Sequence, residues 1–423
     1  MSGLVGRVAV TTTTKGEAMT QTVPVPQGLP MERDAGPFDP PREITRLREA
    51  RPVSPMIFPD GHEGWLVTGY DEVRQMMADT RFSSRQDIGI LHMPYETPGI
   101  PVQTEPSPPT PGMFVAMDPP DHGRLRKRLT GAFTVKRMKQ LEEHIIEVTE
   151  RQLDAMANLT PPIDLVEEFA LPVPSMVICE LLGVPYEDRE SFQANSAQLM
   201  VRDQTLEEKM AAFIGMNTFL TELVTRKRET PEDDILSDLG RHEDLTIEEL
   251  AGAAFLLLFA GHETTANMLA LGTFALLEHP EQLAELRADA ELLPGAVEEL
   301  LRYLSVADIF FRYATEDLEL GGETIPAGST VIISLLAANR DPRRFENPDV
   351  LDLHRNARGL LSFGHGIHQC LGQQLARIEM RAGFEGLLRR FPTLALAVPA
   401  EEVKLKTDMN IYGVHELPVT WTE

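Results

Sequence analysis

The sequence predicts a mainly helical fold with a smaller β region, and three observations carry that reading. Between residues 121 and 305 apolar side chains recur at helical spacing, punctuated at Pro161-Pro162, Gly183-Val184-Pro185 and Pro231. Over 246–278 a single helix runs for more than 30 residues, on the order of 50 Å at 1.5 Å per residue. Residues 317–335 read instead as short strands with turns, at Gly321-Gly322, Ile325-Pro326-Ala327-Gly328 and Val331-Ile332-Ile333. With 42% hydrophobic and 25% charged residues in 423, the chain can bury a large core without disulfide or zinc staples.

Taken in order, residues 1–35 hold a threonine run, scattered prolines and charges at Arg7, Lys15 and Glu17, with no apolar segment of signal-peptide length. A flexible N-terminal tail is expected there, followed by a single catalytic domain over 36–423. Segment 36–62 is proline-rich, with a short helix over Arg42–Ala50. Gly64 to Gly69 has strand composition, and Tyr70–Ala78 is helical. Residues 83–112 form a long loop with seven prolines between Pro94 and Pro111, and a loop of that length is read as a lid. Thr246 and Glu249 match a capping box at the start of the long helix, and Pro280 marks its stop. The middle of that helix, 253–261, is apolar all round, as in a helix that runs through the centre of a domain. His262-Glu263-Thr264-Thr265 follows directly, placing an acid and two hydroxyls where the helix should be driest. A further helix runs from after Cys370 to about Arg390, and 403–421 is strand-like. No internal repeat or linker is evident.

Charge and cysteine content exclude several functions. Lys+Arg 39 against Asp+Glu 65 leaves a formal charge of −26. That balance argues against a nucleic-acid binder and against docking on an anionic membrane. The longest apolar stretch falls short of the roughly 20 residues of a membrane span, so a soluble, cytoplasmic protein is expected. Two cysteines cannot build a disulfide framework, a four-cysteine zinc site or a four-cysteine iron–sulfur site.

Cys370 lies in Phe363-Gly364-His365-Gly366-Ile367-His368-Gln369-Cys370-Leu371-Gly372. The glycines let the backbone turn tightly and approach something flat and bulky. Helix-start amides after the cysteine favour a thiolate, a good soft ligand for iron. Competing readings are a zinc site from His365, His368 and Cys370, a nucleophilic cysteine, and a merely structural one. Cys179, inside Met176-Val177-Ile178-Cys179-Glu180-Leu181-Leu182, reads as a buried inert thiol.

The Cys370 segment resembles the cytochrome P450 haem-thiolate signature, Phe-x-x-Gly-x-x-x-Cys-x-Gly, with His368 and Ala376 at the accessory places. The resemblance extends from about residue 36 to 421. It is nearest to the soluble actinobacterial, ferredoxin-dependent members that tailor macrolides and hydroxylate steroids and xenobiotics. It implies the cytochrome P450 fold, with a non-covalent haem b between the long central helix and the post-cysteine helix, and Cys370 as axial ligand.

Further segments extend the likeness. Ala260-Gly261-His262-Glu263-Thr264-Thr265 resembles the oxygen-binding groove. There Gly261 leaves room above the haem, Glu263 and Thr264 form a proton relay, and His262 is a packed neighbour. Glu299-Leu300-Leu301-Arg302 resembles the family's buried structural lock, joined by Arg355. The segment from Asp118 to Arg126 resembles the helix whose His and Arg, here His122 and Arg126, grip a haem propionate. Arg312 matches a further propionate arginine, and His368 completes the set. Phe363, Gly364, Gly366, Gly372, Ala260 and Gly261 are implied haem contacts. Ala338-Asn339-Arg340-Asp341-Pro342, with Phe345, Asn347 and Pro348, matches the segment before the haem loop and reads as architecture.

The activity implied is insertion of one atom of dioxygen into a lipophilic small molecule such as a macrolide, steroid or other natural product. Electrons come from NAD(P)H through a ferredoxin reductase and a ferredoxin, and a monomer is expected. Residues 123–140 carry Arg124, Arg126, Lys127, Arg128, Lys136, Arg137 and Lys139 and no acids. With Arg377 and Arg381 this island reads as the face for an acidic ferredoxin. Implied pocket residues are Ile88, Ile90, Leu91 and Met93 of the lid, Phe255 and Phe259, Val306, Ile309 and Phe310, and Met409, Ile411 and Tyr412. Alternatives within the fold are peroxide-driven oxygenation, nitric oxide reduction and oxidative coupling. A haem-binding sensor or carrier is the alternative of another class.

Overall fold

The computed structural model describes residues 7–11, 20–96, 102–133, 135–185, 199 and 205–422. Two compact units divide the span expected as one domain. One takes residues 1–109, 308–350 and 364–369, and the other 110–307, 351–363 and 370–423.

The first unit holds the larger sheet. Strands β1 (Arg7–Thr11) and β2 (Thr20–Pro24) pair as an antiparallel hairpin inside the segment expected as a flexible tail. Residues 1–6 and 12–19 of that segment lie outside the described residues, as do 97–101 of the expected lid. Helix α1 (Arg42–Ala50) precedes β3 (Val53–Ile57), β4 (Glu63–Val67), α2 (Tyr70–Ala78) and β5 (Phe82–Ser83). Later in the chain come β7 (Ile309–Ala314), β8 (Leu318–Leu320), β9 (Glu323–Ile325), β10 (Thr330–Ser334) and α11 (Leu335–Asn339). The sheet order is β3-β4-β10-β7-β5, with β10 parallel to β4 and antiparallel to β7. Leu47, Met56, Phe58, Leu66 and Ile332 form its core. Asp308, half-buried just before β7, accepts from Ser334 Oγ at 2.8 Å and from the Leu336 amide at 2.7 Å. That acceptor ties the start of β7, which carries Ile309 and Phe310, to the β10–α11 corner.

The second unit is helical. It comprises α3 (Asp121–Thr130), α4 (Val135–Ala157), α5 (Pro172–Leu182), α6 (Leu206–Glu229), α7 (Ile235–Gly240), α8 (Ile247–Leu277), α9 (Pro280–Ala288), α10 (Leu293–Leu304) and α12 (Gln373–Arg390). Short strands β6 (Ile163–Asp164), β11 (Ala395–Leu396), β12 (Lys404–Leu405), β13 (Val414–Glu416) and β14 (Pro418–Thr420) complete it. Helix α8 begins at the expected capping box: Thr246 Oγ1 accepts from the Glu249 amide at 3.2 Å, and Glu249 Oε2 accepts from the Thr246 amide at 3.0 Å. Helices α5, α6, α10 and α12 pack on it. By length and composition α8 could cross a membrane, but 72% of its most apolar window is buried inside the protein.

Glu299 and Arg302, three apart on α10, are both fully buried and meet at 2.7 Å, and Arg355 Nε adds a bond to Glu299 Oε1 at 3.1 Å. The Asp352 amide also donates to Glu299 Oε1, at 3.1 Å. One carboxylate thus fixes residues 352–355 on α10. Removing one partner of such a pair leaves a buried charge without its counter-ion, which costs about 3–5 kcal/mol. Arg302→Leu is therefore expected to lower the unfolding free energy by up to about that amount in urea titration, since Arg355 still reaches Glu299, and Arg355→Leu by less, because the fully buried Glu299–Arg302 contact survives.

Candidate functional site

Helix α8 is the second unit's apolar axis, and its exposure changes abruptly at one place. Residues 250–255 are buried and 265–276 are buried again. Between them Ala260 is exposed, and Phe259, Gly261 and Thr264 are partly so. Ala260 and Thr264 are four apart and share a helix face. Thr264 Oγ1 donates to the Ala260 carbonyl at 2.9 Å, a bond that competes with the helix's own ladder and loosens it there. His262 is buried and donates from Nδ1 to the Leu258 carbonyl at 2.8 Å. Gly261 also has a packing reason within the protein. A Cβ there would meet the Ile178 side chain at 2.8 Å, so the glycine lets α5 approach α8.

Glu263 is 5% exposed. Its Oε1 accepts from Lys406 Nζ at 2.7 Å and from Asn267 Nδ2 at 2.9 Å. Burial pushes the carboxyl up. The Lys406 ammonium, through its charge and its hydrogen bond, with His262 and Asn267 adding to it, brings it down overall, below the ordinary glutamate value of 4.5. Glu263 is therefore a carboxylate at neutral pH. One position beyond Thr264, Thr265 donates to Glu379 of α12, a fully buried acid whose carboxyl burial raises well above the ordinary value. The carboxyl groups of two acids near one stretch of α8 are thus moved in opposite directions.

Cys370 belongs to the same unit. Its amide donates to the Phe363 carbonyl at 2.8 Å, closing the loop. As a residue it is half-buried, yet burial is the largest influence on its thiol and pushes it up. The Gly372 amide, Arg126 and Arg377 pull the other way and do not prevail. Helix α12 begins at Gln373, so the helix-start support expected for the sulfur comes through the Gly372 amide just before it. Arg377 stacks over the Phe363 ring at 4.5 Å and pairs with Glu298 at 2.5 Å. His122 and Arg126 stand four apart on α3. His122 is buried and Arg126 half-buried, and burial lowers both, with Arg126 also depressing His122 and Cys370 supporting the charge on Arg126. Gly364, Gly366, His368 and Arg312 lie in the other unit. Gly364 and Gly366 take φ of 68° and 74°, and a Cβ on Gly366 would meet the Met77 carbonyl at 2.3 Å. Arg312 is buried on β7 and donates to the Phe311 carbonyl at 2.7 Å.

These donors fit the haem that the resemblance implies. A buried sulfur that burial disfavours as an anion calls for a cation beside it, and a half-buried Arg126 within electrostatic reach suits a carboxylate substituent. The exposed Ala260–Thr264 face offers small side chains to a flat ring.

The basic island is weaker than its sequence suggested. Acids from distant segments neutralise it: Glu249 pairs with Arg124, Asp244 with Arg128 at 3.3 Å, Asp238 with Arg137 at 2.8 Å and Glu142 with Arg381 at 3.2 Å. Lys127 and Lys139 are exposed, and Lys127 has no ion pair among the described residues. The Lys136 side chain lies outside the described ones. Among the implied pocket residues of this unit, Phe255 and Phe259 stack with centroids 5.5 Å apart, and the Tyr412 amide donates to the Val306 carbonyl at 3.0 Å. Met409 and Tyr412 are buried and Ile411 half-buried. In the other unit Ile88 is exposed, and Ile90, Leu91, Met93, Ile309 and Phe310 are partly buried. Sequence reasoning missed Lys406, Asn267, Glu379 and Phe213, whose ring meets Phe255 edge-on at 5.6 Å. The only available signal was the need of a buried Glu263 for a counter-ion.

Comparison with known proteins agrees with this geometry. The family model described as Cytochrome P450 matches residues 202–420. A relative named Cytochrome P450 105C1, from a Streptomyces species, is 47% identical over 95% of this chain and 100% of its own length. Pentalenic acid synthase of Streptomyces avermitilis is 45% identical over 95% of this chain and 98% of its own. The crystal structure of CYP105P1 in complex with filipin I superposes with a TM-score of 0.88 at 44% identity, covering 94% of this chain and 99% of that one.

The lowered Glu263 carboxyl has a consequence for stability. A group depressed in the folded state contributes stability above its unfolded value, and that contribution is lost as pH falls through the folded value. Thermal melts of wild type and Glu263→Gln are therefore expected to differ most at neutral pH. The gap should narrow as pH is taken below about 4.5, the ordinary value. A gap that widens on acidification would contradict the Lys406 pairing.

Proposed function

The chain belongs to the cytochrome P450 family and is a haem-thiolate monooxygenase using non-covalent haem b. From that premise we propose that Cys370 is the axial thiolate, and that the enzyme oxidises a bulky lipophilic small molecule with electrons from a ferredoxin and its reductase. The observation that carries this reading is the Glu263–Thr264 pair, set at the one open face of an otherwise buried apolar helix, in the unit that also holds Cys370 and Arg126. When bound, the haem supplies reductive activation of dioxygen, and the thiolate pushes electron density toward O–O cleavage.

The protein's own residues have separable tasks. Cys370 would hold the iron, and Arg126 with His122 would receive a propionate; Arg312 and His368 keep the propionate roles that the resemblance alone assigns them. Glu263 takes up protons as a carboxylate, and Thr264 Oγ1 passes them toward the dioxygen co-substrate. For that, the Thr264 hydroxyl must release the Ala260 carbonyl. Phe255, Phe259, Val306, Met409, Ile411 and Tyr412 of the helical unit would present mostly apolar surface to the substrate. A long proline-rich lid, and the filipin I complex of CYP105P1, favour a bulky natural product. NAD(P)H serves indirectly through the reductase. A cytoplasmic monomer is the state this reading assigns.

The reduced carbon monoxide complex should show the thiolate red shift of its Soret band, and Cys370→Ala should lose it. Retention of the shift in Cys370→Ala would overturn the ligand assignment. With ferredoxin, reductase, NAD(P)H and oxygen, Thr264→Ala should lower product formation on the order of 10²-fold, with electrons diverted to peroxide. Spectral binding without turnover across many substrates would instead favour a sensor or carrier.

Ferredoxin docking should depend on Lys127, because its neighbours Arg124 and Arg128 are already paired within the chain. Lys127→Glu is expected to slow ferredoxin-driven reduction in stopped-flow, most strongly at low ionic strength, while substrate affinity holds. Unchanged reduction kinetics would remove this face from the docking surface.

A further inference from the structure

Lys406 lies in the turn of residues 406–413, between β12 and β13, far in sequence from α8. Three observations fix that turn to the helix and its surroundings. The Lys406 amide donates to the Gly413 carbonyl at 2.9 Å, closing the turn on itself. Gly413 lies flush on α8: a Cβ there would fall 1.8 Å from Asn267 Oδ1 and 2.5 Å from Asn267 Cγ. The Tyr412 amide is held by the Val306 carbonyl at 3.0 Å. The same turn carries Met409 and Tyr412, both buried, and ends in the cation that meets Glu263. The Lys406 side chain is only 12% exposed. Its bond and that of Asn267 both land on Oε1 of Glu263, so Oε2 takes neither.

We propose that Lys406 is a positioning residue for proton delivery: it pins Glu263 by one oxygen, leaves the other to exchange protons, and makes that arrangement depend on the seating of the 406–413 turn. This inference rests on the assignment of Glu263 and Thr264 as the proton relay. The groups facing Glu263 are Lys406 from the turn, and His262 and Asn267 from α8 itself. Burial and Lys406 both depress His262, so the imidazole adds little positive charge of its own at neutral pH. Lys406 is thus the counter-ion that keeps Glu263 ionised in an apolar helix. The turn that brings it also carries side chains assigned to the substrate pocket, so a ligand that presses on Met409 or Tyr412 acts on the same short segment that holds the relay's counter-ion.

The test uses the haem-loaded protein and three variants, Lys406→Met, Lys406→Arg and Gly413→Ala. Infrared titration follows the protonated-carboxyl band, assigned by its disappearance in Glu263→Gln. Lys406→Met should move the band's midpoint upward, because removing a cation disfavours the carboxylate, and Lys406→Arg should move it back. Gly413→Ala should also move it upward while leaving the ammonium in the chain, because the added methyl lifts the turn off Asn267. Product formed per NAD(P)H consumed should fall about tenfold in Lys406→Met, with substrate affinity by the spin-state shift unchanged, and recover in Lys406→Arg. An unmoved midpoint in Lys406→Met with native circular dichroism overturns the proposal. So does a moved midpoint with unchanged coupling, or failure of Lys406→Arg to restore either readout. Loss of the thiolate shift in the wild-type carbon monoxide complex would instead bring down the haem-thiolate reading, since the infrared midpoint reports the Lys406–Glu263 pair whatever the iron does.

Discussion

A charge inside an apolar helix is the constraint from which the second unit's architecture follows. Helix α8 packs against its neighbours around most of its circumference, and its residues from 265 to 276 are all buried. An isolated carboxylate in such surroundings costs several kcal/mol, more than any one hydrophobic contact returns. The chain meets that cost with Lys406, Asn267 and a glycine-tight turn. Each is explicable once Glu263 must be both buried and ionised, and none is needed otherwise. The same constraint without a paired cation among the described residues raises the Glu379 carboxyl well above its ordinary value, although it accepts a bond from Thr265.

Electrostatics on α3 follow the opposite logic. Exposed charges are cheap to hold and weak in effect, so the fold can neutralise Arg124 and Arg128 with acids more than 100 positions away without much gain in stability. What those pairs do change is the field. A basic segment that looks concentrated along the chain becomes a mixed surface in space, and the attraction for an acidic partner narrows to the cations left over.

The sequence made the helical elements legible where local physics decides them. Arg42–Ala50 and Tyr70–Ala78 are where propensity and apolar spacing place them, and the Thr246–Glu249 box sets the start of α8. The Cys370 loop was legible because positive φ is written into glycine. Long-range partners were not. Nothing around Lys406 marks it as different from other lysines in acidic turns, and the acids that meet Arg124, Arg128 and Arg381 are set by tertiary packing. The β1–β2 pair lies in a segment whose threonine run and prolines read as loop, because pairing depends on a partner strand that local composition does not name. Gly261 shows the same limit in reverse. Its packing neighbour is Ile178, a contact that no spacing rule encodes.

Environments that move the carboxyl groups of two acids in opposite directions, here on two packed helices, let a protein draw different chemistry from the same side chain. Here the division is made by unequal access to a cation. Lys406 can reach Glu263 because the C-terminal turn crosses α8 at Asn267, one helical turn further on. Glu379 projects from α12 into packed surroundings, its Oε1 without a hydrogen-bond partner among the described residues. Burial differs little between the two, so burial alone cannot explain why one is ionised. The deciding variable is the path of residues 406–413, which makes a segment far from the cysteine loop the part of the fold that sets the charge beside Thr264.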